Sequence, residues 1–158
     1  MNIAINKSAF LAAAEQHCHE KGVKLTEIRR DVLALALEYT GVVKAYQLLN
    51  DLQVARTNAA PPTVYRALDF LVEQGLLHKI EALNGFLVCR HFDCLHEALI
   101  LVCQNCGATE EVHDKTVAFV RQQCQPHGFL MQLQNIVIHG LCQLCVRPNQ
   151  ATSPMACV

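Results

Sequence analysis

The stretch Cys89-Arg-His-Phe-Asp-Cys-Leu-His-Glu-Ala-Leu-Ile-Leu-Val-Cys103-Gln-Asn-Cys106 lies near the middle of the 158-residue chain and concentrates metal-binding residue types there. The sequence before it is helical in pattern. After it comes a second cysteine pair, Cys142-Gln-Leu-Cys145. The length allows one or two small domains. The central stretch therefore separates a helical half from a metal-binding half.

The composition narrows the class of protein. No run of 18 apolar residues occurs, and no basic leader with a long apolar region follows Met1, so we expect neither a membrane span nor a secretion signal. Nine cysteines in a chain of the cytoplasm indicate metal ligands or redox groups rather than a disulfide framework. Residues 1–86 carry nine basic and nine acidic side chains, so any DNA binding must come from the local placement of basic residues.

The two Cys-x-x-Cys pairs carry the strongest signal. Two residues between thiolates let both sulfurs turn toward one ion, and four thiolates close the tetrahedral shell of a structural zinc site with no position left for catalysis. We therefore predict that the chain is not an enzyme. The 35 residues between the pairs can hold a strand, a helix and a strand. The alternative is a redox Cys-x-x-Cys, for which one pair would suffice. The predicted zinc ligands are Cys103, Cys106, Cys142 and Cys145.

The N-terminal half shows four helical segments followed by a hairpin. Ser8 and Thr26 are candidate N-caps, and Pro61-Pro62 suits the first turn of the fourth helix. Asn84-Gly85 is a hairpin turn signal between two short strands. This order predicts a winged helix-turn-helix. The predicted segments are helices at 9–20, 26–40, 44–54 and 61–74, and strands at 76–81 and 86–89.

The fourth helix presents Tyr65 and Arg66 opposite its apolar face. Arg can bridge guanine O6 and N7 or a phosphate, and a Tyr ring can meet a thymine methyl group. Thr63, Lys44 and Tyr46 are further candidates for DNA contact. The alternative is an ordinary amphipathic helix with an exposed Tyr-Arg pair.

The C-terminal half predicts a small α/β domain with strand–strand–helix–strand order. The segments are strands at 97–102, 109–113 and 129–139 and a helix at 115–125. The whole chain is thus predicted to be α+β: a winged-helix domain (1–85), a hinge (86–90), a C-terminal dimerisation and metal-binding domain (91–147) and a flexible tail (148–158).

The sequence resembles the ferric-uptake-regulator family over roughly residues 8–147. The resemblance rests on three features in the family's order: Leu25-Thr26-x-x-Arg29-Arg30, then Pro62-Thr63-Val64-Tyr65-Arg66-Ala67-Leu68, then the paired Cys-x-x-Cys. Two further segments are similar to the zinc-responsive branch of the family. They are Pro61–Leu71 followed by Glu73-Gln74-Gly75, and His139-Gly140-Leu141-Cys142.

The resemblance implies a second, regulatory zinc site. Neither periodicity nor spacing joins its ligands, which match that branch one by one: His78, Cys89, His96 and Glu111. A thiolate among the ligands suits zinc. Gln134 stands where some relatives have a third-site histidine, so we do not expect a complete third site, although His91, Asp93, Cys94, Glu110 and His113 are possible extra ligands.

The resemblance also implies a function. It implies a homodimer with two Zn²⁺ per subunit that represses zinc-import genes by binding an AT-rich inverted repeat in double-stranded DNA when zinc is plentiful. Three alternatives stay open: a family member that senses iron, manganese or peroxide, a cytosolic thiol oxidoreductase, and a zinc-stabilised interaction module without a DNA role.

Overall fold

The computed structural model describes residues 6–93, 98–112, 115–131 and 135–146. The chain divides into two compact units, Met1–Glu97 and Ala98–Val158. The first is mainly helical and the second is built on a small sheet, as the α+β prediction has it. The elements are α1 (Lys7–Glu20), α2 (Glu27–Ala36), α3 (Ala45–Ala55), α4 (Pro61–Glu73), β1 (Leu77–Ile80), β2 (Gly85–Val88), β3 (Ala98–Cys103), β4 (Thr109–Val112), α5 (Thr116–Cys124) and β5 (Asn135–Gly140).

Local capping explains where the first helices begin. Asn6, rather than the predicted Ser8, caps α1, and its Oδ1 accepts a hydrogen bond from the Ala9 N–H at 3.1 Å. Thr26 is the N-cap residue of α2, as predicted, although its side chain makes no capping hydrogen bond. The first helical residue of α4 is Pro61, which suits a position where no N–H partner is needed. The helix starts are therefore largely readable from the sequence.

The core of the first unit is aliphatic. Leu33, Leu48, Leu52, Leu68 and Leu71 are fully buried and belong to one cluster formed by α1 to α4 and the strands. This matches a sequence without tryptophan, because branched aliphatic side chains must fill the interior. The buried face of α4 fixes which of its side chains point away from the core.

Two polar contacts fasten α2 and the residues after it to α3. The Tyr39 hydroxyl donates to Asp51 Oδ2 at 2.6 Å. The Arg56 guanidinium, at the end of α3, lies 2.7 Å from Asp31 and 3.1 Å from Glu27 on α2. These contacts hold α2 and α3 together ahead of the turn that leads into α4.

The wing follows α4. β1 and β2 are antiparallel, with Leu77 opposite Val88 and Ile80 opposite Gly85. A 3₁₀ turn over Glu81–Leu83 and the left-handed Asn84, with φ of 46°, connect them. Val43 pairs with Phe86 through two backbone hydrogen bonds of 2.8 Å. The wing is thereby attached to the residue that precedes Lys44 and α3.

The second unit has the strand–strand–helix–strand order that the sequence predicted. Its sheet has the order β4-β3-β5, in which β3 pairs antiparallel with β4 and parallel with β5. Because parallel neighbours need a crossover, the chain passes through α5 between β4 and β5. Leu99, Val117 and Met131 form its core on the face that α5 covers.

The last strand is shorter than predicted. β5 begins at Asn135, whereas residues 129–131 have no strand pairing and residues 132–134 lie outside the described part. Phe129 and Leu130 are exposed, so the apolar residues that suggested a longer strand do not all face a core. The predicted tail, 148–158, also lies outside the described residues. Among the described residues, no helix has the length and apolar character needed to cross a membrane.

Candidate metal centres and nucleic-acid interface

The sheet of the second unit brings the two cysteine pairs to one edge. β3 ends at Cys103, and its parallel neighbour β5 ends at Gly140, opposite Cys103 in the register. The Gln104 N–H donates to the Gly140 carbonyl at 2.9 Å just beyond the paired strands. Cys142 therefore lies beside Cys103 although 38 residues separate them in the sequence.

The four sulfur atoms have the separation of a tetrahedral site. All lie within 4.8 Å of one another, and Cys106 Sγ is 3.7 Å from Cys142 Sγ. Zn–S bonds of about 2.3 Å at tetrahedral angles place sulfurs about 3.8 Å apart. Tight turns hold each pair: the Cys103 N–H donates to Ala108 O and the Cys145 N–H to Cys142 O, both at 2.8 Å. The residues present fit a zinc ion bound by four thiolates.

The crowding of the four thiols makes their pKa values differ. The Cys142 backbone N–H, 3.3 Å from Cys103 Sγ, and the Cys106 N–H lower the pKa of Cys103 to about 6. The Asn105 side chain lowers the pKa of Cys145, but hydrogen bonds with Cys142 and Cys106 and burial outweigh it and raise that pKa to about 12. Four crowded thiols cannot all ionise unaided, whereas a divalent cation stabilises them all as thiolates.

Two of the predicted regulatory ligands meet within the first unit. His78 lies on β1, and Cys89 directly follows β2, where its N–H donates to Leu76 O at 3.1 Å. A ring nitrogen of His78 and the Cys89 sulfur lie within 4.8 Å of each other. Cys89 is fully buried and His78 is partly buried, so one soft and one borderline ligand share a sheltered position.

The other two regulatory ligands, His96 and Glu111, were predicted in the C-terminal domain, residues 91–147. Glu111 lies on β4 of the second unit, opposite Ile100, and is partly buried. His96 lies outside the described residues, as do Cys94, His113 and Gln134. Of the possible extra ligands, Glu110 and Asp93 are exposed and His91 is partly buried.

The predicted DNA-contact residues lie around the starts of α3 and α4. Tyr65 is 53% exposed and Arg66 is also exposed, whereas Val64 and Leu68 beside them are buried. Neither the Tyr65 nor the Arg66 side chain has a hydrogen bond or ion pair with another described residue. Tyr46 is 63% exposed near the start of α3. Thr63 and Lys44 are partly buried, so they are less available.

One link between these sites was not visible in the sequence. The Val43–Phe86 pair joins β2, which leads directly into Cys89, to the residue before Lys44. No local pattern could reveal this pairing, because it joins residues 43 positions apart through the fold. The strand that leads into Cys89, a predicted metal ligand, is thus hydrogen-bonded to Val43, shortly before α3 of the helix-turn-helix begins.

Taken together, these features define a metal-binding, helix-turn-helix protein, and comparison with known proteins gives its family. The model of the ferric uptake regulator family matches residues 20–139. The chain belongs to that family.

Similar proteins and a similar solved structure agree with this family membership. The chain is 40% identical over 150 residues to the zinc uptake regulation protein of Escherichia coli K12, covering 94% of this chain and 88% of that protein. It is 31% identical over 125 residues to the zinc uptake regulation protein of Mycobacterium tuberculosis H37Rv, covering 78% and 95%. A zinc uptake regulator complexed with zinc and DNA matches with a TM-score of 0.82 at 39% identity, covering 89% of this chain and 95% of that one.

Proposed function

We propose that this chain is a zinc-responsive transcriptional repressor, which binds an AT-rich inverted-repeat operator as a homodimer when its regulatory site is filled. The observation that carries the proposal is the pairing of His78 with Cys89 at the wing of a helix-turn-helix. Similarity to zinc uptake regulation proteins over most of the chain supports the same function. Its setting is the cytoplasm, and it needs no catalytic activity.

DNA would be read by the exposed face of α4. In a helix-turn-helix the N-terminal residues of the second helix contact base edges in the major groove. Tyr65 and Arg66 occupy the first two turns of α4, and the buried opposite face holds their backbone in place. Tyr46, Lys44 and Thr63 would contact the sugar-phosphate backbone at the rim of the groove, where hydrogen bonds set the register but not the sequence read.

Zinc would act at two places in each subunit. The four-cysteine site would stabilise the second unit and has no open position for catalysis. The regulatory ion would be held by His78, Cys89, His96 and Glu111. Because these ligands come from both units, with Glu111 in the second, an ion bound by all four would restrict how the helix-turn-helix is presented to DNA.

The homodimer would form through the second unit. Leu101 and Ile138 are adjacent on neighbouring strands and are 36% and 47% exposed, on the sheet face where α5 covers Leu99. Phe119 on α5 is 60% exposed. Exposed apolar groups on one small unit are typical of an association surface.

Selection of binding sites from a random duplex pool, with zinc and with a chelator, tests the function. We expect enrichment of an inverted repeat only with zinc, and its loss in Arg66→Ala. Arg30→Ala is the matched control, because Arg30 is an exposed arginine that pairs with Glu15 on α1 instead. Enrichment that is equal with and without zinc, or that requires iron or manganese, would contradict the proposal.

A further inference from the structure

Acidic side chains between residues 6 and 85 are almost all paired, and the two exceptions lie together. Between residues 6 and 85, Asp69 and Glu73 are the acids without a hydrogen-bond or ion-pair partner among the described residues. Both are exposed on α4. The paired acids are Glu15 with Arg30, Glu20 with Gln16, Glu27 and Asp31 with Arg56, Glu38 with Lys7, Asp51 with Tyr39, and Glu81 with Lys79.

Asp69 lies within the exposed face that would enter the groove. At 100° per residue, it is rotated about 40° from Tyr65 and about 60° from Arg66, and therefore lies between them around the helix axis. It is displaced about 4.5 Å from Arg66 along the axis, close to the spacing of neighbouring base pairs. Although Arg66 and Asp69 are three positions apart, they form no ion pair with each other.

A carboxylate at this position is unfavourable for general DNA affinity. The α4 segment carries one basic residue, Arg66, and two acidic residues, Asp69 and Glu73. Phosphate contacts supply most of the sequence-independent affinity, so an acid facing the groove weakens binding to every duplex. The carboxylate of Asp69 becomes favourable only where the base opposite it presents a hydrogen-bond donor. In the major groove these donors are the amino groups of cytosine N4 and adenine N6.

We propose that Asp69 is a specificity-determining residue that accepts a hydrogen bond from an exocyclic base amino group in the major groove. The inference rests on the proposed function, since it requires that α4 reads DNA. Asp69 rejects any base that presents a carbonyl oxygen at that position, because two acceptors would face each other. Discrimination thus comes from repulsion at wrong sites as well as from attraction at the right one.

Asp69→Ala and Glu73→Ala form a matched pair for the test. Each removes one unpaired carboxylate from the same exposed helix face, and Glu73 lies one further turn from the N-terminus of α4. Both should strengthen binding to unrelated duplexes to a similar degree. Only Asp69→Ala should lose preference for one base per half-site, by about 5- to 150-fold, the discrimination of a good base contact.

The experiment selects sites from a random duplex pool with zinc and then measures affinities for every base at each enriched position. Asp69→Asn distinguishes the two bases, because Asn reads adenine through two hydrogen bonds: an adenine preference would be kept, and a cytosine preference would shift to adenine. Identical base preferences for Asp69→Ala and the unmodified protein would overturn the inference. Failure of the unmodified protein to enrich any motif would instead overturn the proposed function.

Discussion

At the scale of single residues, Gly85 has the least freedom to change. A Cβ at this position would lie 2.4 Å from Val42 Cγ1 and 2.9 Å from the Val43 carbonyl oxygen. Its backbone is not in the left-handed region, so the restriction is steric. We expect Gly85→Ala to lower the free energy of unfolding by about 1–3 kcal/mol, as overpacking does, and urea titration with zinc present measures this.

Gly140→Ala provides the comparison for that experiment. A Cβ there meets nothing within 4 Å, and Gly140 also lies at the end of a strand. Its stability should change far less than that of Gly85→Ala. Equal effects of the two substitutions would show that close approach to Val43 is not what requires glycine at position 85.

Cys89 is the residue whose chemistry carries the regulatory proposal. Replacing it with Ser removes the thiolate that suits zinc, so we expect zinc content to fall from two ions per subunit to one and zinc-dependent operator binding to fail while the dimer survives. Metal analysis, duplex binding and sedimentation measure these three quantities. Cys124→Ser, on α5 and a member of neither ligand group, should change none of them.

Residue-level prediction from spacing is possible where the same chemistry repeats at short range. Two Cys-x-x-Cys pairs predict a tetrathiolate site by spacing alone, and the four sulfurs lie within 4.8 Å of one another. His78 and Cys89 have no shared spacing, since they meet through strand pairing, and only resemblance to a family indicated them. Gly85 was predicted as part of an Asn-Gly turn, but only Asn84 adopts the left-handed conformation, and the glycine is required by the neighbouring Val43 backbone.

At the scale of elements, the contact between Tyr39 and Asp51 attaches the residues after α2 to α3. We expect Tyr39→Phe to lower the free energy of unfolding by about 0.5–1.5 kcal/mol near neutral pH, the net value of one hydrogen bond. The hydrogen bond to Asp51 raises the pKa of Tyr39 above 10. The stability that this hydrogen bond contributes is therefore present below pH 10, and it is lost as the pH rises through the higher pKa of Tyr39 in the folded protein.

Denaturant unfolding of the two proteins at pH 7 and at strongly alkaline pH tests this prediction. The difference between them should shrink on the alkaline side. A difference that grows with pH would show that the phenolate, not the phenol, makes the stabilising contact. The ion pairs of Arg56 with Asp31 and Glu27 provide a reference for this pH dependence, because the guanidinium stays charged over the same range.

Element boundaries were predicted less well than element types. Periodicity indicated each helix and strand named above, but a propensity for strand from residue 129 onward could not show that residues 129–131 are unpaired and that pairing with Ala98 is at Asn135. Likewise, α2 ends at Ala36 although the helical pattern continues to Thr40. Pairing with Ala98 sets the start of β5, whereas local i→i+3 hydrogen bonds from Glu38 and Tyr39 replace the α-helical pattern after α2.

At the scale of the whole molecule, the two units should respond differently to metal removal. The second unit has a small core around Leu99, Val117 and Met131, so we expect it to depend on zinc at its four thiols. A strong chelator at neutral pH should abolish amide hydrogen-exchange protection in β3 and β5 while α2 and α4 stay protected. Acid should have the same effect, because protonated thiols bind zinc weakly.

Returning zinc to the chelated protein should restore protection in β3 and β5. Metal analysis must first establish that the ion has left. If those strands stay protected in metal-free protein, packing alone stabilises the second unit. If α2 and α4 lose protection to the same extent, the two units do not unfold independently.

The parallel pairing of β3 with β5 has a consequence for biosynthesis. Chains leave the ribosome from the N-terminus, and domains fold as they emerge. The helix-turn-helix and its wing can therefore be complete while β5 is still being translated. Cys103 and Cys106 then remain an exposed pair of thiols until Cys142 and Cys145 have also emerged from the ribosome. Delivery of the proposed structural ion would thus be a late step in maturation, and we expect the nascent chain to be most vulnerable to oxidants during that interval.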